Sequence, residues 1–196
     1  MHARIFAVLA VVLAACSSAP TRFHTLDPVP PGSAAAKPRP AVPVRVDSVT
    51  VPPELDRPQI VRRAGPGRLD LADGDRWAGA LDELARRALA ADLALRLPAG
   101  AMVRADDPAP PASLHRLDVV IERFEGALGG PVSLDAHWTL LGAAPGQQQE
   151  RQALAQGEER IEVPVEMSAG ADVDGTVTAM SAALGVLADR IAAVMR

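Results

Sequence analysis

The stretch that most constrains the fold is Val132–Leu141. Val132, Leu134, Ala136, Trp138 and Leu140 are apolar, and they alternate strictly with Ser133, Asp135, His137 and Thr139. A period of two places the two sets on opposite faces of a β-strand, so one face must be buried and the other wet. Such a strand cannot stand alone in water. It needs neighbours in a sheet and something to cover the apolar face.

The neighbours are legible. Residues 114–124 read as a second strand, with Gly126 to Gly130 as the connecting turn, and residues 151–165 as a returning strand after a hairpin loop at Pro145-Gly146. Upstream, Val42, Val44 and Val46 alternate with polar residues until Val49 and Val51 shift the pattern. That is a half-buried strand over residues 42–51. Gly65-Pro66-Gly67 is a turn signal, so residues 59–63 and 68–71 pair as a hairpin. Residues 21–26 and 101–104 have the character of short strands.

Two long helices supply the cover. Asp73-Gly74-Asp75 reads as an N-cap for a helix over residues 75–97, closed by Pro98 and Gly100. Trp77, Leu81, Leu84, Ala88, Ala91 and Leu95 form its apolar stripe, while Asp82, Glu83, Arg86, Arg87, Asp92 and Arg96 solvate the rest. A second helix begins at a capping Asp172. Val173, Val177, Met180, Leu184, Leu187, Ile191 and Val194 recur at steps of four and three. That seam fits a helix lying on the sheet better than a coiled coil, because the sheet's apolar face still needs covering. The expected fold is a single α+β domain, with α/β as the alternative: a mixed, mostly antiparallel sheet under two helices.

The chain of 196 residues carries 20 Lys plus Arg against 24 Asp plus Glu. Its arginines are interspersed with acids and Lys37 is its one lysine, so neither nucleic acid nor a polybasic membrane patch is indicated. The sole cysteine, Cys16, follows a short polar segment with His2 and Arg4, an apolar run over residues 5–13, and Ala14-Ala15. This reads as a lipoprotein signal peptide over residues 1–15, with the mature domain at 16–196 and Cys16 as the lipidation site. The apolar run falls well short of the roughly 20 residues a membrane-crossing helix needs. Residues 27–43 hold Pro28, Pro30, Pro31, Pro38, Pro40 and Pro43. They form either a loop or an extended spacer that lifts a domain off a bilayer.

Catalytic chemistry is poorly served. Ser133, Asp135 and His137 sit at successive same-side positions of one strand, too regular for a nucleophile, base and orienting group. The four histidines show no metal-ligand spacing and no glycine-rich phosphate loop precedes a helix, so no cofactor is expected. The functional candidate is Asp56-Arg57-Pro58-Gln59, a proline-fixed turn displaying both charges as a docking surface. The competing reading is an internal ion pair that fixes a strand crossover. Arg76 joins the candidate set because it could clamp this loop by pairing with Asp56.

Taken together, Leu13 to Cys16, Arg22-Phe23-His24-Thr25-Leu26, Leu55-Asp56-Arg57-Pro58-Gln59-Ile60-Val61, Asp75-Arg76-Trp77, Arg116-Leu117-Asp118-Val119, Arg123-Phe124-Glu125 and Leu134-Asp135-Ala136-His137-Trp138-Thr139-Leu140 resemble the PqiC/YmbA family of ABC-type transport auxiliary lipoproteins. His24 stands where that family usually carries Tyr, and His137 where Arg is common. The resemblance implies an outer-membrane lipoprotein on the periplasmic face. It also implies partnership with an MCE-domain protein and an inner-membrane permease and ATPase in intermembrane lipid transport. In that setting the chain is a non-catalytic docking component, a homo-oligomer, with Ser17 after the cysteine matching outer-membrane sorting. A structural envelope lipoprotein without a transported ligand is the alternative.

Overall fold

The computed structural model describes residues 20–32, 42–108, 110–111, 113–142, 152–165 and 172–195. The signal segment, Cys16, Ser17, Lys37 and the hairpin loop at Pro145-Gly146 lie outside the described residues, as does the capping side chain of Asp172. Among the described residues, seven strands and two helices follow in the order β1 (Arg22–His24), β2 (Val44–Thr50), β3 (Gln59–Gly65), β4 (Arg68–Trp77), α1 (Leu81–Arg96), β5 (His115–Ala127), β6 (Val132–Leu141), β7 (Ala153–Val163) and α2 (Asp172–Val194). All seven strands belong to one sheet, ordered β1-β4-β3-β5-β6-β7, with β2 also pairing β5. The expected α+β domain is what forms.

The β5-β6-β7 meander is antiparallel, as the alternation requires. On β6 the apolar set is buried, and the alternating residues lie toward solvent. Elsewhere the sheet is more mixed than expected. β1 runs parallel to β4, and β5 receives both β2 and the end of β3 as parallel neighbours. The shift in the β2 pattern has a cause in the register, which slips between Val46 and Ser48. This irregularity lets Val44, Val46 and Val49 all reach the core. Residues 101–104 do not form a strand; Met102 makes an isolated bridge to Val44.

The helices share the cover. α1 packs on β2, α2 lies over β5, β6 and β7, and the helices pack on each other. Of the α2 seam, all but Val194 are buried, and Ala179, Ala183, Ala188 and Ala192 widen it to a broad face. α2 is long and apolar enough to cross a bilayer, yet here its apolar length is used against the sheet and α1.

The first helix departs from expectation at its start and along its apolar stripe, and ends as expected before Pro98. It begins at Leu81, and Trp77 closes β4, where it is 4 % exposed. Gly74, at φ 81°, bulges β4 so that the strand continues past the apparent cap signal. Asp75, Arg76 and Trp77 are then taken by β1. Along α1 the stripe holds for Leu81, Leu84 and Ala88 but then rotates: Leu95 is exposed, and Leu89, Asp92, Leu93 and Arg96 are buried. The rotation follows α2, which crosses this end of α1 and covers it.

Candidate docking surface and the clamps that set it

The Asp56 turn is built from the inside out. Leu55 is buried and roots it, while the Leu55 amide donates to the Pro52 carbonyl at 2.9 Å and the Arg57 amide to the Leu55 carbonyl at 2.9 Å. Pro58 then presents its carbonyl to the Trp77 amide at 2.7 Å, which locks the turn to the end of β4. Asp56, Arg57 and Pro58 are exposed on this fixed frame. Gln59 stands opposite Arg76 in the β3–β4 register, and Arg76 stands opposite Phe23 in the β1–β4 register. Side chains directly opposite share a face, so Gln59, Arg76 and Phe23 form one row across three strands beside the turn. The Asp56–Arg76 clamp does not form: among the described residues no hydrogen bond or ion pair joins them. Arg76 is directed by strand register toward Phe23 and Gln59.

A charge cluster that the sequence did not reveal holds β1 in place. Asp75, 3 % exposed, receives Arg22 Nη2 at 2.9 Å and lies 2.7 Å from His24 Nε2. Burial pushes the Asp75 carboxyl upward, but the hydrogen bonds from Arg22 and His24 and their charges outweigh it, and its pKa is lowered. His24 Nδ1 also lies 3.6 Å from Asp174 at the start of α2. One imidazole therefore bonds β1 to β4 and faces the start of α2.

A second cluster joins the helices to the proline-rich stretch. Asp92, with no exposed surface, accepts the Val29 amide at 2.7 Å, and Arg96 Nη1 donates to the Val29 carbonyl at 2.9 Å. Arg96 Nε also donates to Asp189 of α2 at 2.7 Å, and the Asp27 amide donates to Ser181 at 3.2 Å. Val29 fits because Gly185 has no Cβ, which would lie 3.1 Å from Val29 Cβ. Residues 27–32 are therefore a strap across both helices. Because β1 precedes the strap and lies in the sheet, the strap sits inside the fold and does not lift the domain away from its N-terminal end. Asp92 and Arg96, placed on the solvated face by sequence, are its anchors.

On the sheet's wet face Asp135 and His137 of β6 are paired with charges on the neighbouring strands. Asp135 faces Arg123 and Arg160, at 3.6 and 3.3 Å, and His137 faces Glu122 at 3.2 Å. A shallow cup of about 280 Å³ is lined by Arg63, Arg123, Glu125, Ala127 and Ser133, with Arg63 bonded to Glu125 at 2.6 Å. Among the described residues, no group of three or more His, Cys, Asp or Glu is placed to hold a metal.

The family described as "ABC-type transport auxiliary lipoprotein component" matches residues 24–192, which takes in β2 to β7, all of α1 and nearly all of α2. The chain belongs to this family. It is an accessory lipoprotein of ABC-type transport, the family that the sequence resemblance indicates. No curated protein matches it in sequence. Two crystal structures share this auxiliary-lipoprotein fold. One, of an uncharacterized protein, has a TM-score of 0.69 at 20 % identity, covering 91 % of this chain and all of the other. The second, from Xanthomonas campestris and assigned to family DUF330, has a TM-score of 0.65 at 17 % identity over 89 % and 93 % of the two chains.

Proposed function

We propose that the mature chain is anchored by lipid at Cys16, after removal of residues 1–15, on the periplasmic face of the outer membrane. There it serves as the non-catalytic docking component of an MCE-type system that moves lipid between the two membranes, powered by an inner-membrane permease and ATPase. It works as a homo-oligomer and without a cofactor. The observation that carries this reading is the family match over nearly the whole fold. The arrangement of the site supports it: charged groups are spent on fixing strands and the strap, while Asp56, Arg57 and Pro58 are held outward on a rigid turn beside Gln59 and Arg76. A preformed exposed turn binds with little ordering cost.

The test is affinity capture of the lipidated chain from envelopes solubilised in mild detergent. An MCE-domain protein should be recovered with it, together with phospholipid, and the Asp56→Ala/Arg57→Ala chain should lose the protein while keeping its fold by circular dichroism. Recovery of no MCE-domain protein overturns the transport reading. Undiminished capture by the double variant removes the turn as the docking surface.

A further inference from the structure

We infer that Phe23 is a membrane contact, so that the β1–β4 edge of the sheet rests on the lipid surface to which the chain is anchored. The inference rests on the Cys16 anchor proposed above and adds the orientation of the domain on the bilayer.

Phe23 is 67 % exposed, the most exposed of the large apolar side chains of the described residues, and it sits on an edge strand. Its backbone is held rigidly by the residues on either side, because Arg22 and His24 both bind the buried Asp75. Strand alternation thus fixes the aromatic ring outward, on the face opposite Arg22 and His24. Leu71, 40 % exposed, is a second apolar side chain on β4.

The tether decides what the ring meets. Six residues lead from Cys16 to Arg22, and at no more than about 3.6 Å each they reach at most ~22 Å. The proline-rich stretch cannot lengthen this tether, because it follows β1; its residues 27–32 are strapped to the helices. The edge bearing Phe23 is therefore the part of the domain held within ~22 Å of the membrane surface. Because β1 is parallel to β4, the chain before Arg22 departs in the direction of Leu71 and Arg68. β1, β3 and β4 carry five arginines against three aspartates in a chain of net charge −4. Arg22 and Arg63 are bound by Asp75 and Glu125, while Arg68, exposed at the hairpin where it donates to the Ala64 carbonyl at 3.2 Å, is placed to face lipid phosphate. Apolar side chains flanked by arginine suit the headgroup boundary of an anionic bilayer. The Asp56 turn leads into β3, two strands and roughly 10 Å from β1 at 4.8 Å per strand, and stays open to a protein partner.

The experiment uses the chain with its native anchor in vesicles of phosphatidylethanolamine and phosphatidylglycerol, with and without dibrominated acyl chains. The reporter is Phe23→Trp; Trp77 and Trp138, both buried, give the background from the unsubstituted chain. The added tryptophan should emit at shorter wavelength on reconstitution and be quenched by the brominated lipid. A second arm attaches a single myristoyl chain to Cys16 through maleimide, which alone gives marginal binding, so that Phe23→Ala should weaken vesicle association about tenfold. Acyl mass at Cys16 with no quenching and no loss of binding overturns the inference and leaves the anchor standing. Absence of acyl mass on the native chain overturns both. Loss of MCE-protein capture in Phe23→Ala without lipid quenching also overturns it, and assigns the ring to the protein interface.

Discussion

Arg96 Nη1 donates to the carbonyl of Val29 at 2.9 Å, across 67 positions of sequence, while the neighbouring Asp92 carboxylate holds the Val29 amide. Both side chains lie within the packed helices, so the strap is fixed at one residue from both sides. Removing one partner of such a pair strands the other charge where water cannot reach it. Arg96→Ala should therefore lower the free energy of unfolding by about 3–5 kcal/mol, read by urea denaturation. A loss below about 1 kcal/mol, the range of an exposed ion pair, would show that the strap is not held as described.

The same carboxylate makes the fold sensitive to pH. Burial lifts the pKa of Asp92 to about 6, against the Val29 hydrogen bond and the charge of Arg96, with Asp189 adding a like charge. An acid whose folded pKa exceeds its unfolded value, near 3.9, binds its proton more tightly when folded. Its contribution to stability is therefore gained as pH falls from about 6 towards about 4, and is lost as pH rises through that window. The stability of the unsubstituted chain relative to Asp92→Asn should rise over this interval, by up to roughly 1.4 kcal/mol per pH unit. A flat difference between pH 7 and pH 4 would overturn the assignment.

The β5-β6-β7 meander and the α2 seam were legible because their signals are local: a period of two along Val132–Leu141, and steps of four and three from Val173. The start of α1 was not. Asp73-Gly74-Asp75 is a sound capping signal in isolation, but β1, more than 50 positions earlier, pairs with Asp75 to Trp77 and keeps them extended. Asp92 and Arg96 were misplaced for the same kind of reason. Their charge suggested water, and only the arrival of α2 and Val29 buries them. The turn at Asp56 was recognised from its prolines, but its neighbour Phe23 carries no signal in sequence, since exposure is decided by which face of a short edge strand is left uncovered.

Asp75 should control whether β1 stays in the sheet. Hydrogen bonds to an ionised group are worth about 1.5–3 kcal/mol, and Asp75 takes two, from Arg22 and His24. Asp75→Asn should loosen β1 without unfolding the meander. Trypsin should then cut after Arg22 faster than in the unsubstituted chain, while β5 to β7 remain protected from hydrogen exchange. Because the Asp75 pKa is lowered, its stabilisation is present above the unfolded value of about 3.9 and is lost as pH falls through the lower folded value. Hydrogen exchange at acid pH should therefore show β1 loosened as it is in Asp75→Asn. Equal cleavage rates for the two chains at neutral pH would refute the clamp.

Gly157 on β7 lies opposite Trp138 on β6, and the indole occupies the space a side chain would take: a Cβ at Gly157 would lie 2.6 Å from Trp138 Nε1. The ring, 2 % exposed, is thereby folded down across the neighbouring strand beneath α2. Glycine ordinarily weakens a strand. Here it makes room for the largest side chain of the alternating set. Gly157→Ala improves the intrinsic strand preference yet must push the indole into α2, so the chain should lose about 1–3 kcal/mol of stability by overpacking. Near-ultraviolet circular dichroism would report the displaced indole directly. If Gly157→Ala is instead more stable, with an unchanged tryptophan spectrum, the ring does not depend on the missing side chain.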